Sequence, residues 1–574
     1  MLPDSLKNVV KGDILTDEST LTAFSKDASV FAIKPQVVVA PKDSEDLKAL
    51  VKFINQDPSQ HLSLTPRAAG TCMSGGAIND SITLDMLKYF NQVVFVGQDY
   101  AITQPGVFYR DFEKHTLEKN LLLPCYTSSR ELNTVGGMVG NNSAGEKSLN
   151  YGQTERYVRR LKMVCSDGNE YEFKPLSKEE LDHKLIQRDF EGEIYRKIYQ
   201  ILTQNPELIQ SKKPITSKNS TGYALWNVMQ NGKFDLTKII TGSQGTLGIV
   251  TEIEFQLTQP KNHTAMLEIE LDNLDKLDQI VLEVLKFTPE SFECFDDQTL
   301  MYATKFLGDI IKDFKKTPKW LAPFKLLPEI IASWNKKFPK LVLIAEFTAE
   351  DEQTPMEQVH LCQSSLKRFD IKTRAVASND EEKYWIIRRD SFNILRHHSG
   401  GTVRTAPFID DICVKPEKLP QFLPKLQQTL EPYKDRITYT IAGHIGNGNF
   451  HIIPLMDLTK ENVRQVIPEL SEKVFAVVFE SQGTMAAEHN DGLVRGSYLP
   501  QMYGEAMYQL FKDVKEIFDP NNIFNPHKKT DATIQYAIDH IDQTYAVKAI
   551  EDYGSKVTPA PTQPQAVETL PKTA

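Results

Sequence analysis

The segment 66–76, PRAAGTCMSGG, says more about the structure of this chain than any other stretch of its sequence. It follows an apparent strand and places small residues where a backbone can approach a ligand closely. Successive backbone amides in such a loop can hold a pyrophosphate group. Taken alone, this first loop is equally compatible with a structural turn, so its interpretation depends on the rest of the chain.

Two further loops of small residues occur later in the sequence. The second loop, 134–152, reads TVGGMVGNNSAGEKSLNYG, and the third loop, 241–251, reads TGSQGTLGIVT and runs directly into a strand. One large ligand threaded through the domain explains three such loops better than three independent tight turns do. None of them contains the G-x-G-x-x-G fingerprint of dinucleotide-binding domains.

The composition limits the class of protein. The chain has 574 residues, 40% of them hydrophobic and 25% charged, which is typical of a globular protein of two or three domains. A net charge of −10 argues against general nucleic-acid binding, which needs clustered Lys and Arg in excess of acids. The start, MLPDSLKNVV, does not resemble an export signal, and no run of 18 apolar residues follows, so we expect a cytoplasmic protein.

The six cysteines lie far apart without a C-x-x-C pair, which excludes the usual spacings of zinc ribbons and iron–sulfur clusters. We expect reduced, mostly structural thiols. A redox enzyme built from this chain would pass its electrons onward without an iron–sulfur module of its own.

Patterning divides the chain into regions. To about residue 258, short β-branched runs alternate with glycine turns and helical stretches, and beyond it two strand-helix units predict a second domain with an antiparallel sheet. Between these units, 305–340 contains nine lysines and three acids. This basic insertion is either a helical pair with a solvated lysine face or a docking segment for an anionic membrane or an acidic partner. The Pro- and Thr-rich end predicts a disordered tail.

The order of the three loops resembles the FAD-binding domain of the vanillyl-alcohol oxidase superfamily. Within it, GHIGNGNFH (443–451), AAEHNDGLVR (486–495) and FDPNNIFNP (518–526) are similar to the D-lactate, D-2-hydroxyglutarate and glycolate dehydrogenase group. The resemblance covers roughly residues 30 to 527. It implies an α+β fold: a PCMH-type FAD-binding domain over 1–258 with its core at about 33–258, a substrate-binding cap domain over 259–487, a C-terminal segment over 488–527 returning to the flavin site, and a largely disordered tail over 528–574.

The resemblance also implies which residues bind the cofactor. Members that attach FAD covalently through the first loop have a His where this chain has Thr71, so we expect non-covalent FAD. Ala68 and Ala69 stand where glycines are more usual, and each Cβ restricts positive φ. The implied FAD-binding residues are Pro66, Arg67, Ala69, Gly70, Thr71, Cys72, Ser74, Gly75, Gly76, Ala77, Thr134, Gly137, Asn141, Asn142, Ser143, Gly145, Tyr151, Gly152, Gly245, Gly248, Ile249, Val250 and Asn525.

A metal site is suggested by two histidines and a carboxylate. His444 and His451 would point to opposite faces of a regular strand, but the glycines between them permit a turn that brings both imidazoles together. With Glu488 they would suit Zn²⁺, Mn²⁺ or Fe²⁺, although histidines in glycine-rich turns often only form hydrogen bonds. The resemblance implies these three residues as ligands. Asn447 stands where the group usually has Asp, which removes a charge beside the site.

His489 is the predicted catalytic base and Arg388 the predicted anchor of the substrate carboxylate. A metal-bound hydroxy acid would lose its hydroxyl proton to His489 as a hydride moves to flavin N5, and a guanidinium would hold the carboxylate in a bidentate contact. His489 could instead be an ordinary polar neighbour of Glu488, and Arg388 a surface residue paired with Asp390. Arg495 is a second candidate anchor.

Two departures from the group affect the predicted substrate. Ile453 replaces an Asn typical of 2-hydroxyglutarate enzymes and favours D-lactate, and Asn490 replaces the usual glycine after the Glu-His pair. D-2-hydroxyglutarate stays an alternative, as do a non-redox enzyme like alkylglycerone-phosphate synthase and a flavin-bearing inactive subunit. We expect an external electron acceptor: a quinone, a cytochrome or an electron-transfer flavoprotein. The basic insertion would allow peripheral contact with the inner face of a membrane.

Overall fold

The computed structural model describes residues 2–305, 308, 311–312, 314, 317–318, 321–326, 338–389 and 402–543. Most of the basic insertion at 305–340 lies outside the described residues, and so do 544–574 of the predicted tail. Across the described ranges, no helix combines the length and the apolar character that a membrane crossing needs. The chain forms two sheets in its first half, a short two-stranded ribbon, and a large sheet in its second half.

The first sheet holds the first loop at the carboxyl end of a strand. Its four strands are β1 (Asp13–Leu15), β2 (Val37–Ala40), β3 (Leu64–Arg67) and β4 (Ile82–Asp85), in the order β1-β2-β4-β3. The last three are parallel. The helix Ser44–Gln56 makes the crossover from β2 to β3, and its N-cap Asp43 accepts a hydrogen bond from the backbone N–H of Asp46.

The second sheet is antiparallel and carries the third loop. Its strands are β5 (Val93–Val96), β6 (Tyr100–Thr103), β7 (Val158–Val164), β8 (Glu170–Phe173) and β11 (Ile249–Gln256), in the order β5-β6-β11-β7-β8. The ribbon consists of β9 (Met229–Gln230) and β10 (Lys233–Phe234). Alternate residues of β11 are buried, as expected for a sheet with one covered face.

The cap domain is built on an antiparallel sheet, as the sequence predicts. Seven strands follow the order β15-β12-β14-β13-β18-β19-β16, and β17 also pairs with β19. The strands are β12 (His263–Leu271), β13 (Ser291–Asp296), β14 (Leu341–Ala349), β15 (Lys372–Ala377), β16 (Val403–Thr405), β17 (Ile412–Cys413), β18 (Thr438–His444) and β19 (Asn449–Asp457).

Helices cover the outer faces of these sheets. In the first half they are Leu2–Leu6, Glu18–Phe24, Ser44–Gln56, Tyr109–Leu117, Val135–Asn141, Ser148–Tyr151, Lys178–Ile186, Phe190–Gln204, Pro206–Ser211 and Thr237–Ile240. The cap helices are Leu277–Leu285, Asp297–Lys305, Ala322–Lys325, Gln353–Leu366, 382–389, Leu419–Leu430, Glu461–Arg464 and Val466–Glu480. The remaining ones are Gly492–Arg495, Leu499–Tyr503, Glu505–Phe518 and Ile534–Asp539.

The C-terminal segment returns to the first domain, as predicted. The helix Glu505–Phe518 packs on the helix Phe190–Gln204, and the backbone N–H of Leu64 in β3 donates to the carbonyl of Ile523 at 2.7 Å. The predicted start of the tail at residue 528 is too early. Lys529 is fully buried and bound to Asp491, and Asp542 is buried and bound to Lys26, so the packed chain continues at least to Asp542.

Candidate active site

A single cavity brings the three small-residue loops together with the cap sheet. The first and third loops contribute backbone from the first domain, while β18, β19 and the helix 382–389 contribute side chains from the cap. Among the residues predicted to bind FAD, those that line this cavity are Pro66, Arg67, Ala69, Gly70, Thr71, Cys72, Gly76, Ala77, Thr134, Gly137, Asn141, Ser143, Gly245, Gly248 and Val250.

The other predicted FAD-binding residues lie outside the cavity lining. Asn525 shows what such a residue does: its Nδ2 donates to the carbonyls of Gly76 at 2.8 Å and Gln244 at 2.7 Å, which ties the first loop to the third. Ile249 belongs to the apolar core. The remaining members of this set are Ser74, Gly75, Asn142, Gly145, Tyr151 and Gly152.

The loops have the shape that a cofactor cradle requires. Gly70 has a φ of +67°, and a Cβ on it would lie 2.3 Å from a guanidinium nitrogen of Arg67. Gly245 has a φ of +69°, and its Cβ would lie 2.4 Å from the ring of Pro66. These conformations keep side chains out of the cavity and expose backbone to it, so the residues present fit a long ligand such as FAD.

Three imidazoles converge on one carboxylate oxygen at the cap side of this cavity. The Nε2 atoms of His444, His451 and His489 lie 3.2, 3.4 and 3.8 Å from Oε1 of Glu488. The rings of His444 and His451 are 5.2 Å apart between centroids, and those of His451 and His489 are 5.1 Å apart and stacked. The sequence predicted this grouping of His444, His451 and Glu488.

The hairpin between β18 and β19 makes the grouping possible. His444 ends β18, His451 lies in β19 opposite Ala442, and the turn between them closes at Gly448 with a φ of +67°. A Cβ on Gly448 would lie 1.9 Å from the carbonyl oxygen of Val414. Both the positive φ and this close approach therefore require glycine at the position. The glycines therefore act as the sequence suggests, by turning the chain so that both imidazoles meet.

The opposite nitrogen of each imidazole is bound to a second carboxylate. Nδ1 of His444 lies 2.6 Å from Glu293, and Asp410 accepts from Nδ1 of His451 at 3.1 Å and of His489 at 2.7 Å. This arrangement fixes the tautomer, so that all three Nε2 atoms face the same point. Such carboxylate–histidine pairs are typical of metal ligands, and the residues present fit a divalent cation.

The electrostatics of the cluster follow from its shared charges. Burial lowers the pKa of His451, but the charge of Asp410 outweighs it and raises that pKa to about 10. The pKa of His489 is also raised, since Asp411 and Asp410 outweigh its burial. Burial raises the pKa of Asp410, yet the two histidines hold it below its ordinary value. Without a cation, the cluster is thus held together by ionic hydrogen bonds.

Asp411 comes close to the same point but is already occupied. Asp411, His451, Glu488 and His489 place ligand atoms within 4.8 Å of one another. However, Oδ2 of Asp411 accepts the backbone N–H groups of Glu488 at 2.8 Å and His489 at 2.7 Å, and its Oδ1 accepts from Asn449. Asp411 therefore holds the Glu-His pair in position. The predicted ligand His444 contacts Glu488 at 3.2 Å but is not a member of this group and does not line the cavity.

Arg388 lines the cavity as predicted, but its partner is Glu293. Its Nε donates to Oε2 of Glu293 at 3.0 Å, and the other oxygen of that carboxylate binds His444. Asp390, the partner weighed as an alternative, lies outside the described residues. Arg495 does not line the cavity: it is fully buried and donates to the backbone carbonyls of Asn490 and Asp410.

Sequence reasoning missed several charged residues of the site besides Asp411. Glu293 stands in SFECFD, a wholly buried strand, and a carboxylate in such an apolar stretch could have marked it. Asp410 begins an Asp-Asp pair, but nothing local connects it to His489. Arg389 also lines the cavity and pairs with Glu146, while Lys218 lies on Glu488 with no signal in its own segment.

The wall beside the histidines is apolar. Thr440 and Ala442 of β18 and Ile453 of β19 line the cavity next to His451. In the antiparallel register Thr440 lies opposite Ile453 and Ala442 opposite His451, so all four side chains share one face of the hairpin. The predicted position of Ile453 at the substrate side is thus consistent with where the structure places it.

The fold and the cavity are those of a two-part FAD-binding protein. Family models agree: the FAD binding domain matches residues 35–174, and the C-terminal domain of FAD linked oxidases matches residues 260–529. These two matches, together with relatives named D-2-hydroxyglutarate and D-lactate dehydrogenase, support the resemblance to FAD-linked D-2-hydroxy acid dehydrogenases of the vanillyl-alcohol oxidase superfamily.

Curated relatives have about a quarter of their residues in common with this chain. It is 25% identical over 529 residues to a D-2-hydroxyglutarate dehydrogenase of Escherichia coli (strain K12), covering 90% of this chain and 50% of that protein. It is 24% identical over 496 residues to a D-lactate dehydrogenase of Archaeoglobus fulgidus, covering 86% and 90%. The chain thus spans about half the length of the first of these relatives and nearly all of the second.

Solved structures show the same fold at low identity. p-Cresol methylhydroxylase with substrate bound matches with a TM-score of 0.64 at 14% identity, covering 92% of this chain and 96% of that one. An alkyldihydroxyacetonephosphate synthase matches with a TM-score of 0.59 at 16% identity, covering 90% and 83%. The PCMH-type fold predicted from the sequence is confirmed.

Proposed function

We propose that this chain oxidises a D-2-hydroxy acid, with D-lactate favoured, to the 2-oxo acid and passes the electrons to an external acceptor. The observation that carries the proposal is the convergence of three imidazoles on Oε1 of Glu488, with His451, His489 and Glu488 lining the cavity and His444 behind them. Such a donor set suits a divalent cation, and the same cavity is lined by the loops that fit FAD. A substrate that chelates the cation would lie between the metal site and the flavin and would contact both.

The proposed roles follow from where each side chain lies. Bound FAD would supply the hydride acceptor, and a cation held by His444, His451 and Glu488 would stabilise charge on the substrate oxygens. His489 lines the cavity with its Nδ1 on Asp410, so its Nε2 is the atom that takes the hydroxyl proton. Arg388 would bind the substrate carboxylate, for which it must share its guanidinium with Glu293.

The substrate is argued from the hairpin wall. Ile453, Ala442 and Thr440 offer apolar surface and one hydroxyl, which suits the methyl group of lactate better than a second carboxylate. D-2-hydroxyglutarate is the second candidate, since Arg389 places another guanidinium in the same cavity and several relatives carry that name. Arg389 pairs with Glu146. Burial raises the pKa of the Glu146 carboxyl, but the charge of Arg389 outweighs it and lowers that pKa to about 2.

Two other readings of the fold are less well supported. A non-redox enzyme like alkylglycerone-phosphate synthase would leave the histidine cluster without a use, although it has the same fold. An inactive flavin-bearing subunit would leave Asp410 and Glu293 without a reason to orient the imidazoles. The acceptor is proposed to be a quinone, a cytochrome or an electron-transfer flavoprotein, and peripheral membrane contact through 305–340 stays a prediction.

An anaerobic titration tests the proposal. Purified protein supplied with FAD and Zn²⁺, Mn²⁺ or Fe²⁺ would be mixed in turn with D-lactate, L-lactate, D-2-hydroxyglutarate and glycolate, following the visible absorbance of oxidised flavin. Loss of that absorbance with D-lactate first is the expected result. Bleaching by D-2-hydroxyglutarate alone would exchange the two candidates, and a flavin that bleaches with none of the four acids would overturn the reaction class.

A further inference from the structure

Lys218 is a buried lysine whose ammonium group lies on the proposed metal ligand Glu488. Its Nζ is 2.8 Å from Oε2 of Glu488, and its side chain is 0% exposed. It belongs to neither the cofactor loops nor the cap hairpin, but to the segment between the helix Pro206–Ser211 and β9. A buried ammonium needs an anion beside it, and Glu488 is that anion.

The backbone around Lys218 is anchored on both sides. The hydroxyl of Ser217 accepts from Nδ2 of Asn447 in the hairpin turn at 2.9 Å and donates to the carbonyl of Asn447 at 3.4 Å. On the other side the N–H of Asn219 donates to Gln153 at 2.8 Å. The ammonium is therefore delivered to a fixed place between the first domain and the cap.

The two oxygens of Glu488 have different tasks. Oε1 faces the Nε2 atoms of the three histidines, while Oε2 faces Lys218. A carboxylate held in this way offers one oxygen to a cation and keeps the other on the ammonium. The lysine also places a positive charge directly on Oε2 of Glu488, and this charge does not depend on a bound metal ion.

We propose that Lys218 is a positioning residue that holds Glu488 as a one-oxygen ligand and stabilises the metal-free site. The inference rests on the metal site of the proposed function. An ammonium group and a divalent cation repel each other in a buried site, so Lys218 weakens metal binding. Its ion pair with Glu488 stabilises the folded site when no metal is bound. The cation is then exchangeable rather than a permanent part of the fold.

The test compares Lys218→Met with the unaltered chain and with Lys515→Met. Lys515 is also buried, but it pairs with Asp519 and donates to the carbonyls of Thr246 and Phe524, away from the cluster. The measurements are the Kd for Zn²⁺ or Mn²⁺, by competition with a chromophoric chelator, and the Tm with metal and after chelation. Both are read on FAD-loaded protein and neither depends on activity.

Lys218→Met is expected to bind the metal about tenfold more tightly or better, within the range by which neighbours of metal ligands change affinity. Its Tm after chelation should fall, and metal should restore it, so that the metal-induced rise in Tm exceeds that of the unaltered chain. Lys515→Met should lower the Tm equally with and without metal and leave the Kd unchanged.

Lys218→Gln separates charge from contact and serves if the Met variant does not fold. Its amide can still donate to Oε2 of Glu488, so tighter metal binding in this variant assigns the effect to the lost charge. An unchanged Kd and an unchanged metal-induced rise in Tm in both variants would overturn the role of Lys218. Failure of the unaltered chain to bind any of the metals would instead overturn the metal site of the proposed function, and the role of Lys218 with it.

Discussion

Asp410 is the residue on which the geometry of the site depends most. It accepts from Nδ1 of both His451 and His489, and thereby directs both Nε2 atoms to one point. In Asp410→Asn, an amide group would face one of these nitrogens and favour the wrong tautomer. We expect the rate of flavin reduction by the substrate to fall by about 10²-fold or more.

Stopped-flow absorbance under anaerobic conditions measures this rate, with flavin content as the control for folding. Flavin should be retained, because the carboxylate of Asp410 bonds His451 and His489, and neither histidine belongs to the three small-residue loops. An unchanged rate in a variant with full flavin and metal content would show that Asp410 does not orient the base.

At Asn490, the contribution of the side-chain hydrogen bonds to stability can be separated from the cost of the left-handed backbone. Its backbone has a φ of +65°, its Nδ2 donates to the carbonyls of Asn141 and Gly242, and its Oδ1 accepts from Lys529 at 2.8 Å. Asn490→Ala loses these three hydrogen bonds and a fourth, which Oδ1 accepts from the backbone N–H of Asp491 at 2.7 Å, and it keeps the strained φ. Asn490→Gly loses the same bonds but relieves the φ. We expect both to be destabilised, and Ala by about 1 kcal/mol more than Gly.

Thermal unfolding of the two variants, each with FAD added, gives the comparison. Equal Tm values would mean that the left-handed backbone carries no cost at this position. A Gly variant as stable as the unaltered chain would mean that the side-chain hydrogen bonds contribute nothing, although Lys529 is fully buried against them.

Residues that act through local chemistry were predictable, and those that act through distant partners were not. A local pattern of two histidines separated by glycines marks His444 and His451, and the adjacent His489 marks Glu488. Glu293 lies 151 residues before His444, and only folding brings the two within 2.6 Å. No local pattern of charge or hydropathy encodes such a pair.

At the scale of elements, the hairpin β18–β19 is expected to set substrate preference. Its cavity face carries Ile453 beside His451, with Thr440 across the strands. An amide at position 453 would give a distal carboxylate a hydrogen-bond donor and would leave the methyl group of lactate against a polar group. Ile453→Asn should therefore lower kcat/KM for D-lactate and raise it for D-2-hydroxyglutarate, by about tenfold each.

Steady-state kinetics with an artificial electron acceptor check this, with Ile453→Val as the matched apolar control. The Val variant should keep the preference for D-lactate. If Asn and Val changed the two substrates in the same ratio, the hairpin face would not be the specificity wall.

The strand β14 carries a carboxylate whose titration should appear in stability. Burial raises the pKa of Glu346 to about 7, Lys147 opposes the shift, and the nearby acids Glu381, Glu290 and Glu146 add to it. Since the folded-state pKa lies above the unfolded value of about 4.3, the stabilisation by the protonated form is complete below pH 4 and is lost as the pH rises towards 7. At pH 8 the loss is roughly 3 kcal/mol.

Glu346→Gln removes this titration while keeping the shape of the side chain. We expect the Tm of the variant, relative to the unaltered chain, to be higher at pH 8 than at pH 5. Differential scanning calorimetry at both values tests the sign. The same difference in Tm at the two pH values would show that Glu346 is not protonated in the folded protein at pH 5.

At the scale of the whole molecule, the order of motifs along the chain predicted the order of the domains. It did not predict how far the C-terminal segment packs against them. The first and third loops and β11 follow from glycines and β-branched runs that are visible in the sequence. The predicted tail begins where the family resemblance ends, and the composition of the residues beyond it gives no sign that Lys528 and Lys529 are buried, because charged residues are seldom fully buried without partners. Lys529 obtains its partner, Asp491, from 38 residues away.

Asp542 links the parts of the molecule at the far end of this segment. Its carboxylate lies 2.7 Å from Lys26 of the first domain and 2.7 Å from Arg404 on β16 of the cap, and the residue is 5% exposed. Asp542→Asn would remove the negative charge that the buried Lys26 and the partly buried Arg404 have in common, which we expect to cost about 3 kcal/mol. Because the two cations belong to different domains, we expect a lower Tm and also a broader transition, with cap and first domain unfolding less cooperatively.

Asp539→Asn, at the exposed end of the helix Ile534–Asp539, is the control and should leave the Tm and the width of the transition unchanged. Calorimetry with limited proteolysis distinguishes the outcomes: a Tm that falls while the transition stays sharp would mean that Asp542 stabilises the fold without coupling its domains.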